Sequence, residues 1–568
     1  MTLSLISQHG RKLVHAQFAN QARAWRVAAV ACLLALNVTQ PGCITAGQQK
    51  SFLADSVVAP ADHPGELRAS EVPIRGLLPR PAFGNDPHDT IRAIRGFHAT
   101  RLEWIYGLNA EFVKEVKSLG VTVSGAVNTG TQVGFDLRQK AELKDVSILD
   151  LAGEPVHAPW MRAWETPGLW LCVNNPKVRA AYLDALKQMV DLGVQDIQRD
   201  DPAGNVAALN WGACFCKHCV DEFGRYLSDK PAEMKPVTGQ LPGAAFNYRE
   251  YLVAQGAPVG DAFANYDGGQ LKKLFGQYQE QSTIEFHRWW REELNRYAGR
   301  TITISANVVA LPNDKVAQEF DFWLGELPMR LATPEGLKSI SRQARGRQIL
   351  TMPLHTSAPV EPLSWIALTR RTLATAYAHG MLMEAPWDTY LPPPWADRHY
   401  GDPADFADLY AMVRASSVYL DGYEETPPEG TISSASPTAG APTEVTVPDA
   451  QVYAVTRVKP GDRAAPVVVH LVDWADEPHS FRLNLPAHRI FSGRPFRAEL
   501  IVPKTYDAAA HERAFTSGGY EPLVERLELP LAPDGGLVLP PLHPWGILVL
   551  SRSDLDKTAV PAGKSNLP

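Results

Sequence analysis

From about residue 71 to 420, short apolar β-branched runs alternate with stretches whose apolar residues recur at helical spacing. That alternation predicts βα units around a parallel sheet. The runs predict eight strands: Pro73–Leu77, Ala99–Ile105, Val121–Ala126, Asp196–Arg199, Ile302–Ala306, Phe320–Leu324, Ile349–Pro353 and Gly380–Glu384. Helices are predicted over Lys177–Leu192, closed by Gly193, over Thr283–Tyr297, and over Leu368–His379, closed by Gly380. A glycine just past the last turn is a favoured helix cap. Eight such units with right-handed crossovers close as an α/β fold, the (β/α)8 TIM barrel. The barrel is expected over residues 70–425, with an insertion at about 217–275 after the fourth strand.

The pattern changes near Thr426. Residues 426–443 are rich in Pro, Gly, Ser and Thr, as in a linker or exposed loop. Short strands follow at Val452–Thr456, Val467–Val472, Phe481–Leu485, Arg497–Ile501 and Gly546–Leu550. They predict a C-terminal all-β sandwich domain over 444–553, ahead of a frayed tail from 555 to 568.

The N-terminus has a different pattern. Arg11, Lys12, Arg23 and Arg26 precede one apolar run, Val27–Val38, which is too short to span a bilayer. Residues 1–46 read as a signal peptide or lipoprotein signal, with cleavage after Ala46 or a lipid anchor at Cys43 as the two options. Export is the expectation, to a periplasmic, outer-membrane-anchored or extracellular location. No other stretch is long and apolar enough to be a transmembrane helix.

Composition narrows the partners. A net charge of −7 gives no basis for nucleic acid or an anionic membrane surface as partner. The 14 Trp and 17 Tyr supply flat faces that stack on sugar rings, although most such rings pack cores.

Six cysteines are present, and Cys32 and Cys43 fall in the signal region. The other four are Cys172 and the cluster Cys214, Cys216 and Cys219, which reads C-F-C-K-H-C. Three thiols so close in sequence cannot all pair locally in good disulfide geometry. Four thiolates suit tetrahedral Zn2+, and with no open position the ion would be structural. A disulfide plus two free thiols is the alternative. His218 lies inside the cluster as a substitute ligand or a solvent-exposed neighbour.

A barrel of this kind carries its site at the C-terminal strand ends. There strand two offers Arg101, Glu103, Trp104 and Tyr106, and Asn128 follows strand three. Strand four ends in Asp200 and Asp201, and strand five is followed by Asn307. Glu326, His355, Glu384, Trp387 and Asp388 follow strands six to eight. A mouth rich in carboxylates and lined by tryptophan suits glycosidic bond cleavage of a carbohydrate substrate. That reaction needs one carboxylic acid to protonate the leaving oxygen and a second carboxylate as nucleophile or base. Adjacent strand residues point to opposite faces, so one of Asp200 and Asp201 is expected to face substrate. Asp201, the further along, is taken as the catalytic one.

At the cysteines the chain resembles a known family. The stretch C-V-N-N-P-K-V-R-A-A-Y (172–182) and the stretch C-F-C-K-H-C-V-D-E-F-G-R-Y-L (214–227) resemble family 42 β-galactosidases. In that family an upstream cysteine and a C-x-C-x-x-C knuckle bind one structural zinc beside the fourth strand. The resemblance covers about residues 170–230, with a weaker echo in A-Y-A-H-G (376–380). It implies a zinc on Cys172, Cys214, Cys216 and Cys219, but it does not carry over the activity. The family's Asn-Glu pair after strand four is Asp200-Asp201 here, and its nucleophilic Glu after strand seven is replaced by M-P-L-H-T with His355. Barrel glycosidases outside that group, such as α-galactosidases and α-fucosidases, use an Asp at strand four as nucleophile. Asp201 with Glu326 as acid imitates that arrangement, with Glu384 or Glu103 as replacements for Glu326. The competing expectations are a non-catalytic glycan-binding barrel and a polysaccharide lyase with His355 or Tyr106 as base.

Overall fold

The computed structural model describes residues 67–76, 87–130, 140–159, 162, 168–228, 246–309, 314–352, 362–390, 398–426, 447–462, 464–485, 491, 494–532 and 536–553. The predicted signal at 1–46, Cys43, His355 and most of the predicted linker lie outside them.

Eight strands form one parallel sheet in chain order. They are β1 (Pro73–Arg75), β2 (Arg101–Ile105), β3 (Thr122–Val127), β4 (Asp196–Arg199), β5 (Thr303–Ala306), β6 (Phe322–Glu326), β7 (Gln348–Thr351) and β8 (Leu382–Met383). Ala385, just past β8, bridges Ile74 of β1, and its N–H donates to the Pro73 carbonyl at 2.8 Å. The sheet therefore closes on itself as a TIM barrel. The sixth strand begins two residues later than the apolar pattern predicts. Asp321 stays outside it, taken up by Arg291 and by the N–H of Ile304.

The surrounding helices are α1 (Pro87–Gly96), α2 (Ala110–Ser118), α3 (Lys140–Val146), α4 (Pro176–Asp191), α5 (Gly204–Ala208), α6 (Lys217–Ser228), α7 (Tyr248–Ala254), α8 (Gly269–Ala298), α9 (Pro334–Ala344) and α10 (Pro362–Ala378). Asn175 caps α4 through its side chain, and Pro176 opens the first turn, where a missing N–H costs nothing. The 30-residue α8 serves two cores. Its C-terminal half packs on α4, with Phe286 and Trp290 against Tyr182 at ring separations of 5.1 and 5.9 Å. Its N-terminal half joins a separate aromatic cluster, where Phe275 stacks on Phe215 at 5.4 Å and meets Phe223 at 4.9 Å. That cluster fills the predicted insertion and encloses the four cysteines. Gly212, leading into them, has φ +80°, and a Cβ there would sit 2.2 Å from the Gly260 carbonyl oxygen. Only glycine fits both restrictions.

After β8 come a short hairpin, β9 (Asp388–Tyr390) and β10 (Arg398–Tyr400), and α11 (Pro403–Ala415). The remaining strands are β11 (Glu424–Glu425), β12 (Val452–Val458), β13 (Val467–Asp473), β14 (Phe481–Asn484), β15 (Phe496–Pro503), β16 (Val524–Leu529), β17 (Gly536–Leu539) and β18 (Trp545–Arg552). Six of them make an antiparallel sheet in the order β11-β12-β13-β18-β15-β16, faced by the pair β14-β17 in a sandwich. β13 is buried on both sides, as its continuous apolar run implies. Val467, Val469 and Leu471 fill the sandwich, while Val468 and Val472 join the barrel core beside Tyr377 and Tyr410. A further helix, α12 (Ala508–Ser517), packs near α1, where Arg95 pairs with Glu512 and His98 meets His511 at 2.7 Å. Among the described residues, no helix is long and apolar enough to cross a membrane.

Candidate active site and cysteine centre

Side chains on β4 alternate between the lumen and the helical layer. Ile197 joins the core beneath the helices, and Arg199 lies over the Tyr182 ring at 5.4 Å. The lumen side carries Asp196, Gln198 and, at the mouth, Asp200. Asp200 is held from both sides: Oδ2 accepts from the Tyr106 hydroxyl at 2.5 Å, and Oδ1 accepts from Asn307 Nδ2 at 2.8 Å. Asn128 Nδ2 donates to the Tyr106 oxygen at 3.4 Å, and its own Oδ1 accepts from the Gly130 N–H at 2.8 Å. Residues following β2, β3, β4 and β5 thus form one hydrogen-bonded arc around a single carboxyl group.

Two further acids stand near it. Asp201 is part-buried and sits at φ +50°, a conformation Asp tolerates better than most residues. Burial, then the charge of Asp200, push its carboxyl well up; Arg199 opposes this and Glu326 adds to it. Glu326, the last residue of β6, is exposed. Its carboxyl is also pushed up, first by lost solvation and then by Asp200, against the pull of Arg75. Arg75, at the end of β1, lies over the Trp104 ring at 3.8 Å from the centroid. Trp104 has φ +54°, where the β2–β3 register slips between Leu102 and Ile105. The mouth therefore concentrates backbone strain at Trp104 and Asp201, as functional sites often do.

The loop after β4 is fixed from behind. His287 Nε2 donates to the Pro202 carbonyl at 2.8 Å, and the Trp290 indole donates to His287 Nδ1 at 3.1 Å. Burial and the nearby Arg199 lower His287 to about 3, so the ring is neutral and this pair of bonds sets its tautomer.

Other expected residues lie elsewhere. Arg101 and Glu103 are not at the mouth. They belong to a buried ion cluster at the opposite end of the lumen, where Arg101 contacts Glu103 at 2.8 Å, Asp196 at 2.7 Å and Glu71 at 3.8 Å. Arg101 opens β2 and Glu103 sits in its middle, so neither reaches the C-terminal end of the strand. Glu384 is buried at the end of β8, where its charge acts on Tyr410 of α11. Trp387 is also buried, and Asp388 begins β9. Asp200, not Asp201, is the β4 carboxylate gripped by the arc. The apolar pattern places Arg75 in the middle of a strand running to Leu77, whereas β1 ends at Arg75 and so brings it to the mouth.

The four cysteines converge as expected. Their sulfurs lie within 4.8 Å of one another and all are buried. Cys172 Sγ is 3.5 Å from both Cys216 and Cys219, and all four are free thiols, not disulfides. A tetrahedral ion with about 2.3 Å bonds to sulfur needs edges of about 3.8 Å, so the set can hold a metal ion. Burial disfavours the Cys172 thiolate, but hydrogen bonds from Cys214, Cys216, Cys219 and Asn205 outweigh it and bring the thiol well below its usual range. Asn174 Nδ2 reaches Cys219 Sγ at 3.3 Å.

No protein-family model matches the chain, and neither does any curated protein. Solved structures do resemble it. An α-amylase from Geobacillus thermoleovorans complexed with acarbose is 9% identical, with TM-score 0.45, over 86% of this chain and 100% of that one. A cycloisomaltooligosaccharide glucanotransferase from Paenibacillus is 8% identical, with TM-score 0.47, over 85% of each chain. A family 27 β-L-arabinopyranosidase from Geobacillus stearothermophilus is 9% identical, with TM-score 0.42, over 85% of this chain and 98% of that one. The barrel assignment rests on the strand order and closure of this chain itself.

Proposed function

We propose that this chain is a glycoside hydrolase in which Asp200 and Glu326 are the working carboxyl pair. The observation that carries the reading is the contrast between them. Asp200 accepts one hydrogen bond on each oxygen, from Tyr106 and Asn307. Glu326, across the mouth, is raised by lost solvation of its carboxyl and by Asp200, against the pull of Arg75. Environments that separate two carboxyls in this way divide the roles of acid and nucleophile.

In the proposed reaction Glu326 gives its proton to the glycosidic oxygen as the bond from that oxygen to the anomeric carbon breaks. Asp200 either bonds to the anomeric carbon, for water to displace later, or takes a proton from the attacking water. The anomer first released, read by proton NMR, separates the two courses. Trp104 and Arg75 wall the sugar site, and Asp201 is the reserve acid. The four cysteines hold a structural zinc, which leaves no open coordination position and so serves the scaffold. Residues 1–46 direct export, by cleavage or by a lipid at Cys43.

The test is Asp200→Asn and Glu326→Gln against aryl glycosides and oligosaccharides. Each is expected to lower turnover by about 10²- to 10⁴-fold while glycan binding by calorimetry is retained. Since Glu326 must be protonated, parent turnover falls as pH rises through its raised range, and Glu326→Gln loses that limb. Binding without turnover in the parent chain would overturn the reading in favour of a glycan-binding barrel. Unsaturated products absorbing in the near ultraviolet would make the chain a lyase.

A further inference from the structure

We propose that Asn205 is a positioning residue that couples the cysteine centre to the acid loop after β4; this rests on the zinc reading above. Asn205 is fully buried in α5. Its Nδ2 lies 3.5 Å from Cys172 Sγ, 3.5 Å from Cys219 Sγ and 3.2 Å from Gln279 Oε1. Its Oδ1 accepts from the N–H of Val173, the residue after the first ligand, at 3.3 Å. One amide therefore faces two ligand sulfurs and the backbone beside one of them.

The same residue lies four positions after Asp201, and the chain between has little slack. The N–H of Asp200 donates to the Val127 carbonyl at 2.8 Å, and the N–H of Gly204 donates to the Asp201 carbonyl at 3.3 Å. The Pro202 carbonyl is fixed by His287. A metal ion fixes the sulfurs, the sulfurs fix the Asn205 amide, and the amide fixes the start of α5 directly behind both aspartates. Groups that hydrogen-bond to metal ligands orient them and strengthen binding, and here the orienting group belongs to the acid loop. Removing the ion releases the two sulfurs that the Asn205 amide faces, and with them one of its anchors.

Asn174 supplies the internal control. It also donates to Cys219, but its backbone precedes α4 and is not part of the acid loop. Both asparagines should therefore affect metal retention, and only Asn205 should affect residues 200–208.

The experiment uses the full chain, with zinc measured by elemental mass spectrometry and backbone protection by hydrogen exchange. In the parent chain, chelation should remove protection from residues 200–208 before β7 loses any. Asn205→Asp keeps the acceptor for Val173 and removes the donors. It should release zinc to a chelator about 10- to 100-fold faster and lower protection at 200–208 even while zinc is bound. In the cobalt-loaded chain it should also shift the sulfur-to-cobalt absorption band. Asn174→Asp should speed release and leave 200–208 protected while zinc is bound. Unchanged protection at 200–208 in zinc-bound Asn205→Asp would overturn the coupling. If that variant does not fold, unchanged protection after chelation of the parent overturns it instead. A parent chain that takes up no zinc removes the zinc reading and this proposal together, whereas a zinc-bound chain with an uncoupled loop removes only the proposal.

Discussion

Two clusters of acids occupy opposite ends of the same lumen, and they are built on different principles. At the floor Glu71, Glu103 and Asp196 surround Arg101. Burial disfavours the Arg101 charge, but Glu103, Glu71 and Asp196 more than offset it and push the guanidinium up. At the mouth two arginines act on the acids from the side: Arg199, over the Tyr182 ring, on Asp201, and Arg75, over the Trp104 ring, on Glu326. Asp200 instead takes neutral donors from Tyr106 and Asn307. An acid cluster that closes on its own arginine is architecture. One that is held by neutral groups, and that raises its neighbours, keeps protons available for chemistry.

The comparison breaks first, and most heavily, at the floor. Arg101→Met leaves Glu103 and Asp196 buried without their cation and is expected to cost about 3–5 kcal/mol in denaturant unfolding. A loss below about 1 kcal/mol would mean that the floor cluster is no more than a surface-like pair. At the mouth the same kind of change should act on rate. Tyr106→Phe removes one hydrogen bond to a charged acceptor, worth about 1.5–3 kcal/mol. It should therefore lower kcat/KM by about ten- to a hundredfold with the unfolding midpoint unchanged. An equal loss of stability and rate would show that the arc is structural.

The smallest effect concerns Asp201. Its folded carboxyl is raised by burial and by Asp200, so the native chain holds a proton that the unfolded chain gives up. The stability from that protonated form is complete below the unfolded carboxylate range and is lost as pH rises through the folded one. Asp201→Asn keeps a side chain that tolerates φ +50° and removes the ionisation. Its melting temperature should exceed the parent's at neutral pH by about one to two degrees, and the gain should vanish on acidification. A gain that persists at low pH would place its origin elsewhere.

Much of this was legible in the sequence. β4 matches the expected Asp196–Arg199, because one apolar residue in a short polar strand between two helices leaves little choice. The cysteine convergence was legible from ligand number alone. Other features were hidden by tertiary context. Only the second half of α8 shows a clean helical period, since its first half packs into a separate aromatic core and mixes Gln and Glu with Tyr and Phe. β16, β17 and α12 were not predicted, although Val-Glu-Arg-Leu-Glu-Leu alternates and Asp507 is a capping residue. Period-2 reasoning favours Asp201 as the further along the strand, whereas the hydrogen-bonded arc closes on Asp200, a point that such reasoning cannot supply. It shows that Asp200 shares a face with Asp196 and Gln198, but not that this polar face is the lumen.

Glu424 and Glu425 follow the last barrel helix in the chain, yet they pair with Val458 and Arg457 at the edge of the sandwich sheet. Arg457 in turn donates to the carbonyls of Tyr423 and Tyr377. The change in composition near Thr426 thus falls after the chain has already entered the sandwich sheet. A fragment started there would expose the long edge of β12 and strip a buried arginine of its acceptors. A fragment begun upstream of Tyr423 keeps β11 and one of those acceptors, and it still leaves the Tyr377 carbonyl behind in the barrel.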